Sequence, residues 1–268
     1  MTIDAVVFDV DGVLVDTDAS YTEAVIRTVR WLVPGAPVDR PLLRLWRRSG
    51  DWNNDWDLSY GLYCWLLGSP QLPAADAGAR TLAELVATAG AHAELDYAAV
   101  QGLFEEHYNG TALAVARYGV VPRLHNDAPL SDEERVMLEP AVIDALRALG
   151  ISKVGIVTGR VRADWDQVAG RIPLPAGVVV ATDEDGRKPD PEALRKVLTA
   201  LSATSAVVVG DTLNDLRMTQ AYAQGGAARA RCVIRCDADE DGFYRDAGAA
   251  TTIRLLSELP VAIRALDR

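Results

Sequence analysis

Residues 4–14 are Asp-Ala-Val-Val-Phe-Asp-Val-Asp-Gly-Val-Leu, a short apolar run that ends at a turn carrying two carboxylates. Residues 4–8 predict a buried strand, because strands covered on both faces are continuous apolar runs. Helical spacing of apolar residues marks segments 140–149 and 191–201, and strands alternating with helices predict an α/β fold with a Rossmann-like parallel sheet. Comparable apolar runs predict further strands at residues 154–157, 178–181, 206–209 and 232–234.

The long segment between the first strand and Pro140 does not follow this alternation. Within it, residues 21–32, 58–67 and 81–89 have the spacing of amphipathic helices. The sequence therefore predicts an all-α domain, residues 17–138, inserted after the first strand. Residues 1–16 and 139–268 would form the Rossmann-like core.

Composition and charge exclude several classes of protein. The 268 residues are 49% apolar, and 27 basic against 38 acidic side chains give a net charge of −11. Such a balance disfavours a broad electrostatic contact with nucleic acid or anionic lipid. The chain has no apolar run long enough to span a bilayer, its N-terminus does not resemble a signal peptide, and its three cysteines have no pairing pattern. We expect a cytoplasmic protein without a nucleic-acid or membrane partner, and the sequence leaves the oligomeric state open.

Polar residues follow four of the predicted strands. Ligands bind outside the carboxyl ends of strands in open parallel sheets, so these groups should converge on one crevice. In chain order they are Asp9 and Asp11, Thr158-Gly159-Arg160, Lys188, and Asp211 to Asp215.

The chemistry of this set points to phosphoryl transfer. Several carboxylates cannot gather without a neutralising charge, and Mg²⁺ is a hard cation that binds carboxylate and phosphate oxygens. Lys188 adds a fixed positive charge, and Thr158 offers a hydroxyl and a backbone N–H. Together these groups suit a tetrahedral phosphate, which one of the aspartates could attack to form an aspartyl phosphate.

The chain strongly resembles the haloacid dehalogenase superfamily, and specifically its subfamily I phosphatase-like hydrolases with a helical type-1 cap. The resemblance covers roughly residues 1–16 and 139–255, its motifs occur in the family's order, and the helical insertion lies where the family places that cap. The matching motifs are Asp9-Val-Asp-Gly-Val-Leu, Val157-Thr-Gly, Lys188-Pro-Asp-Pro and Gly210-Asp-Thr-Leu-Asn-Asp.

The resemblance implies roles for the first motif. Asp9 would be the nucleophile and a Mg²⁺ ligand. Asp11 would act as general acid on the leaving group and then as general base on water, and its backbone carbonyl would bind the metal.

The resemblance also assigns the remaining motif residues. Thr158, Gly159 and Lys188 would hold the phosphate, with Lys188 also keeping Asp9 ionised. Asp211 would be a metal ligand. For Asp215 two roles stay open, a metal ligand or a group that orients Lys188 or a metal-bound water.

Departures from related chemistries favour a phosphatase. Dehalogenases of the superfamily lack the acid found here at Asp11, and the phosphonate-cleaving relatives use a cap lysine, whereas the lysines of this chain are confined to the predicted core. Sugar phosphomutases commonly carry a histidine where this chain has Tyr21. We therefore predict a Mg²⁺-dependent phosphatase for a small phosphorylated metabolite. A phosphomutase and a non-catalytic phosphate-binding module are the alternatives.

The segment Asp51-Trp-Asn-Asn-Asp-Trp-Asp57 is the most unusual stretch of the insertion. One hypothesis is that it contacts the leaving group of the substrate, with Asn53 and Asn54 as binding residues. The alternative is that Asn54 or Asp55 caps a helix while the tryptophans pack in the interior.

Overall fold

The computed structural model describes residues 2–49, 51–225 and 228–267. The chain divides into two compact units, a core unit of Met1–Asp16 with Arg135–Arg268 and a helical unit of Thr17–Glu134. The second boundary lies after Glu134 rather than after residue 138. The reason is that Arg135–Val136 pairs with Val15–Asp16 as a short antiparallel ladder, which places both segments in the core unit.

The core unit is built on a six-stranded sheet whose strands are all parallel, so the predicted α/β fold is confirmed. Its spatial order is β5-β4-β1-β6-β7-β8, and β2 and β3 form the separate two-stranded ladder. The strands are β1 Ala5–Phe8, β2 Val15–Asp16, β3 Arg135–Val136, β4 Lys153–Val157, β5 Val179–Ala181, β6 Ser205–Gly210, β7 Arg229–Arg235 and β8 Thr251–Ile253.

Three of these strands were not predicted. β2 and β3 are two residues long and β8 is three, so none of them contains an apolar run that could be recognised. The longer strands could be predicted because they are continuous apolar runs, as the first strand shows. Every residue of β1 is buried, with Val6 and Phe8 in one apolar cluster and Ala5 and Val7 in another, because successive side chains point to opposite faces.

The helical unit contains seven α-helices among its described residues, 17–49 and 51–134. The predicted helical segments correspond to the first, third and fifth of them. The helices are α1 Glu23–Leu32, α2 Arg40–Arg47, α3 Asp55–Gly68, α4 Ala74–Gly78, α5 Leu82–Ala89, α6 Tyr97–Asn109 and α7 Thr111–Tyr118, with a π-helix at Asp18–Thr22 and 3₁₀ turns at Gly90–His92 and Leu130–Glu133.

The remaining helices belong to the core unit. The predicted segments 140–149 and 191–201 are α8 and α10, and α11 starts two residues after the aspartate that follows β6. These helices are α8 Pro140–Ala148, α9 Arg162–Ala169, α10 Glu192–Ala200, α11 Leu213–Gly225, α12 Asp241–Asp246 and α13 Leu259–Leu266, with 3₁₀ turns at Asp183–Asp185 and Leu256–Glu258. Across the described ranges, no helix has both the length and the apolar character needed to cross a bilayer.

Tryptophans pack in the interior of the helical unit. Trp46 and Trp52 are both buried, and their ring centroids are 4.8 Å apart. Trp52 Nε1 donates a hydrogen bond to the carbonyl of Gly78 at 2.8 Å. Gly61 lies so close to this indole that a Cβ there would be 2.3 Å from Trp52 Cζ3. Trp52 is therefore a packing residue of this unit.

Asn54 caps α3, since its Oδ1 accepts the backbone N–H of Asp57 at 2.9 Å. We expect Asn54→Ala to lower the free energy of unfolding by about 1 kcal/mol, because the N–H then loses its partner. Asn54→Asp, which can accept the same bond, should retain most of the stability. Urea unfolding of both variants measures the difference, and equal stability of Asn54→Ala and wild type would contradict the capping role.

Candidate active site

Three loops with polar side chains follow three neighbouring strands of the core sheet. Asp9 follows β1, Thr158 follows β4 and Asp211 follows β6, and β1 lies between the other two strands. Backbone bonds extend the ladder into two of these loops: Asp9 N–H donates to the Val209 carbonyl at 2.8 Å, and Thr158 N–H to the Ala181 carbonyl at 3.0 Å. The sheet therefore fixes the spacing of these side chains.

Lys188 joins two buried carboxylates. Its Nζ lies 2.8 Å from Asp9 Oδ1 and 2.6 Å from Asp215 Oδ1, and all three side chains are at most 10% exposed. Burial lowers the pKa of Lys188, but Asp215 and Asp9 outweigh that effect and hold the pKa above its ordinary value. The ammonium is therefore ionised and is shared between the two aspartates.

Asp215 is held at the start of α11 by Thr212. The Thr212 hydroxyl donates to Asp215 Oδ2 at 2.6 Å, and the Thr212 N–H donates to the same oxygen at 3.1 Å. Gly210 allows this close approach, because a Cβ there would be 2.3 Å from Asp215 Cβ. Both oxygens of Asp215 thus have partners, one on Lys188 and one on Thr212.

Asp211 carries a buried carboxylate oxygen, Oδ1, without a hydrogen-bond partner among the described residues. One oxygen each of Asp9, Asp211 and Asp215 lies within 4.8 Å of the other two. Gly12, at φ +69°, packs against this group, since a Cβ there would be 1.9 Å from Asp211 Oδ2. A buried carboxylate oxygen beside two further carboxylates suits a hard divalent cation.

The cluster contains more carboxylates than positive charges, and the pKa values of Asp9 and Asp211 are raised accordingly. Burial raises the pKa of Asp9 to about 7, with Lys188 opposing the rise and Asp215 and Asp11 adding to it. Burial, together with the charges of Asp9 and Asp215, also raises the pKa of Asp211 well above its ordinary value. One lysine does not compensate all of these carboxylates, so the cluster favours protons or a cation.

Asp11 pairs with Arg160, which belongs to the predicted polar cluster after β4 but for which the sequence predicted no role. Asp11 Oδ1 accepts hydrogen bonds from Arg160 Nε at 2.9 Å and Nη2 at 2.6 Å. Thr158 belongs to the same turn, because the Arg160 N–H donates to the Thr158 hydroxyl at 3.1 Å. Gly159 lies between them and is exposed. A signal was present in the sequence, since the arginine directly follows Thr158-Gly159 at a strand end.

Two further residues that the sequence analysis missed support the loops from outside. The Tyr244 hydroxyl donates to the Asp211 carbonyl at 2.9 Å, and Arg235 Nη1 donates to the Gly12 carbonyl at 2.7 Å. Both come from distant parts of the chain and bind backbone atoms. Every residue has a backbone carbonyl, whatever its side chain. No local sequence motif therefore predicts such contacts.

The segment Asp51–Asp57 belongs to the helical unit, where several of its side chains have partners. Asn54 caps α3, as described above. Asp55 pairs with Arg47, and Asp57 Oδ1 accepts the Tyr97 hydroxyl at 2.7 Å. The capping alternative therefore holds for Asn54, and substrate binding by Asn53 and Asn54 stays a prediction.

Comparison with known proteins identifies a family to which the chain is similar. The family model of haloacid dehalogenase-like hydrolases matches residues 3–222. Among curated proteins, the imidazoleglycerol-phosphate dehydratase of Phytophthora nicotianae is 25% identical over 219 residues, which are 80% of this chain. The chain spans only 40% of the length of that protein.

Solved structures share the fold. Phosphatase Tt82 from Thermococcus thioreducens has a TM-score of 0.66 and 24% identity, over 86% of this chain and 92% of that chain. CbbY from Rhodobacter sphaeroides in complex with phosphate has a TM-score of 0.52 and 21% identity, over 96% of both chains. A second CbbY structure, in complex with xylulose (1,5)-bisphosphate, has a TM-score of 0.51.

Removal of Lys188 should destabilise the core unit. We expect Lys188→Met to lower the free energy of unfolding by about 3 kcal/mol or more at pH 7.5, because two buried carboxylates lose their shared cation. The loss should shrink at pH 5.5, where Asp9 can take up a proton. Urea unfolding at both pH values tests this, with Lys196→Met, an exposed lysine of α10, as the control. A loss no larger than that of the control would contradict the account.

Binding of a divalent cation should depend on pH. Protons compete for the carboxylates, and the pKa of Asp9 is raised to about 7, so cation affinity should rise as the pH increases through 7. Isothermal titration with Mg²⁺ between pH 5.5 and 8.5 measures this. Asp9→Asn should weaken binding and flatten the pH dependence, whereas Asp144→Asn, an exposed residue of α8, should change neither. A pH-independent affinity in the wild type would count against the cluster as the cation site.

Proposed function

The chain belongs to the haloacid dehalogenase-like hydrolase family, and from this premise we propose that it is a Mg²⁺-dependent phosphatase acting on a small phosphomonoester. The observation that carries the proposal is the environment of Asp9. Its Oδ1 accepts the Val10 N–H at 2.7 Å and contacts Lys188 Nζ, while Asp211 lies beside it. Because both contacts fall on Oδ1, the second oxygen, Oδ2, is the proposed nucleophile.

In the first proposed step Asp9 attacks phosphorus and the bond from phosphorus to the ester oxygen breaks. Asp11 gives its proton to the departing oxygen, which leaves as an alcohol, and Asp9 becomes an aspartyl phosphate. In the second step water attacks phosphorus, Asp11 takes a proton from that water, and inorganic phosphate leaves. Asp9 is then a free carboxylate again.

The other residues of the site hold and balance charge. Lys188, with Thr158 and the backbone of Gly159, would bind the phosphoryl oxygens, since fixed donors stabilise charge best where water is excluded. Asp215 would keep Lys188 in place through the 2.6 Å contact between them.

The same carboxylates define the proposed metal site. Asp9 and Asp211, with the backbone carbonyl of Asp11, would hold Mg²⁺, and Asp215 lies within the same cluster. When bound, the cation would neutralise charge on the phosphoryl group. The buried Asp211 Oδ1, which has no hydrogen-bond partner in the part of the chain that the structure describes, supports this assignment.

Related structures support a phosphorylated substrate. Tt82 is named a phosphatase, and the two CbbY structures contain phosphate and xylulose (1,5)-bisphosphate. The dehydratase of Phytophthora nicotianae gives no support for a dehydratase activity in this chain, because the chain covers 40% of the length of that protein.

Hydrolysis is proposed over the phosphomutase reaction because of Tyr21. Its ring stacks on Tyr108 with the centroids 4.2 Å apart, so an aromatic packing residue stands where the related mutases commonly carry a histidine. A non-catalytic phosphate-binding module would not need Asp11 in addition to Asp9. The described cysteines are free, and we propose a cytoplasmic location.

Phosphate release from a broad panel of phosphomonoesters tests the proposed function. With Mg²⁺ present, we expect turnover of one or a few esters, and we expect Asp9→Asn to reduce it at least about a thousandfold. Removal of Mg²⁺ with a chelator should have a similar effect, whereas Asp144→Asn should be as active as wild type. Turnover that survives Asp9→Asn would contradict the proposal.

A further inference from the structure

We propose that Arg160 is a positioning residue that fixes Asp11 for proton transfer to the leaving group. The inference rests on the proposed function, because it concerns the acid of that reaction. Arg160 is buried, and it is not among the residues proposed above to bind the phosphate or the metal.

The contact between the two side chains has a specific geometry. Two hydrogen bonds, from Nε at 2.9 Å and from Nη2 at 2.6 Å, end on the same oxygen, Asp11 Oδ1. Arginine has no acceptor and does not release its proton, so it cannot itself take part in the transfer. The geometry therefore assigns proton transfer to Asp11 Oδ2, with Oδ1 as the anchored oxygen.

Arg160 is itself held firmly. Its side chain is 1% exposed, compared with 30% for Asp11. Its backbone N–H donates to the Thr158 hydroxyl at 3.1 Å, and its carbonyl accepts the Asp183 N–H at 3.1 Å. The anchor is therefore built into the loops that follow β4 and β5, while the carboxylate that it holds remains partly open to solvent.

This difference in exposure favours positioning over a purely structural ion pair. A carboxylate in a turn without a partner would sample several rotamers, and a displaced general acid loses much of its effect. The rigid fork of a guanidinium removes that freedom at one oxygen without covering the other. Lysine would bring the charge but not the two donors in a fixed plane.

The dependence on the leaving group separates this role from a structural one. For aryl phosphates, the effect of the general acid on kcat/KM depends on the leaving group. The effect is small for p-nitrophenyl phosphate, because p-nitrophenolate leaves as a stable anion, and it is largest for phenyl phosphate, because phenolate is more basic. We expect Arg160→Met to lower kcat/KM by less than about threefold for p-nitrophenyl phosphate and by about 30-fold or more for phenyl phosphate. Arg160→Lys should give an intermediate dependence, and it reports the same effect if Arg160→Met does not fold.

Two controls complete the experiment. Arg162→Met removes an exposed arginine two residues away, which lies 3.6 Å from Asp185, and it should change neither rate. In an Asp11→Asn background, adding Arg160→Met should change kcat/KM for phenyl phosphate by less than about twofold, because Arg160 acts through Asp11.

The outcomes distinguish this inference from the function on which it rests. An equal loss of kcat/KM across the aryl series, no loss at all, or additive effects of the two substitutions would overturn the role of Arg160 while the phosphatase activity stands. A wild-type protein without hydrolysis that depends on Asp9 would overturn the proposed function, and the positioning role with it.

Discussion

The buried ammonium of Lys188 is the constraint on which the site depends. It contacts Asp9 and Asp215 at 2.8 Å and 2.6 Å, and its positive charge offsets the charge of these two buried carboxylates. A single positive charge is nevertheless too little for the cluster, because the carboxylate of Asp211, with its buried Oδ1, lies beside them. Under the proposed function, a divalent cation and a phosphoryl group would together balance this excess of negative charge.

The backbone makes this concentration of charge possible. β1 lies between β4 and β6, so that the turns after these strands open at neighbouring positions of one sheet edge. Glycine at positions 12 and 210 then allows the carboxylates of Asp211 and Asp215 to pack directly against the main chain. Any larger side chain at either position would occupy the space of a carboxylate.

Much of this arrangement could be predicted from the sequence because it is local. Long apolar strands and the polar residues at their ends lie next to each other in the chain, and the same holds for Asn54 as a cap. Contacts between a side chain and a distant backbone could not be predicted, and Tyr244 and Arg235 are examples. Arg160 lies between these cases, since its position is visible in the sequence but its partner depends on the turn that follows β1.

Phosphorylation of Asp9 during turnover is the step on which the proposed reaction depends. The most direct measurement is acid quenching during turnover of an active ester with Mg²⁺, followed by peptide mass spectrometry. We expect phosphate on the peptide that contains Asp9 and none on that peptide in Asp9→Asn. Turnover without any phosphopeptide, or phosphate on a different aspartate, would contradict it.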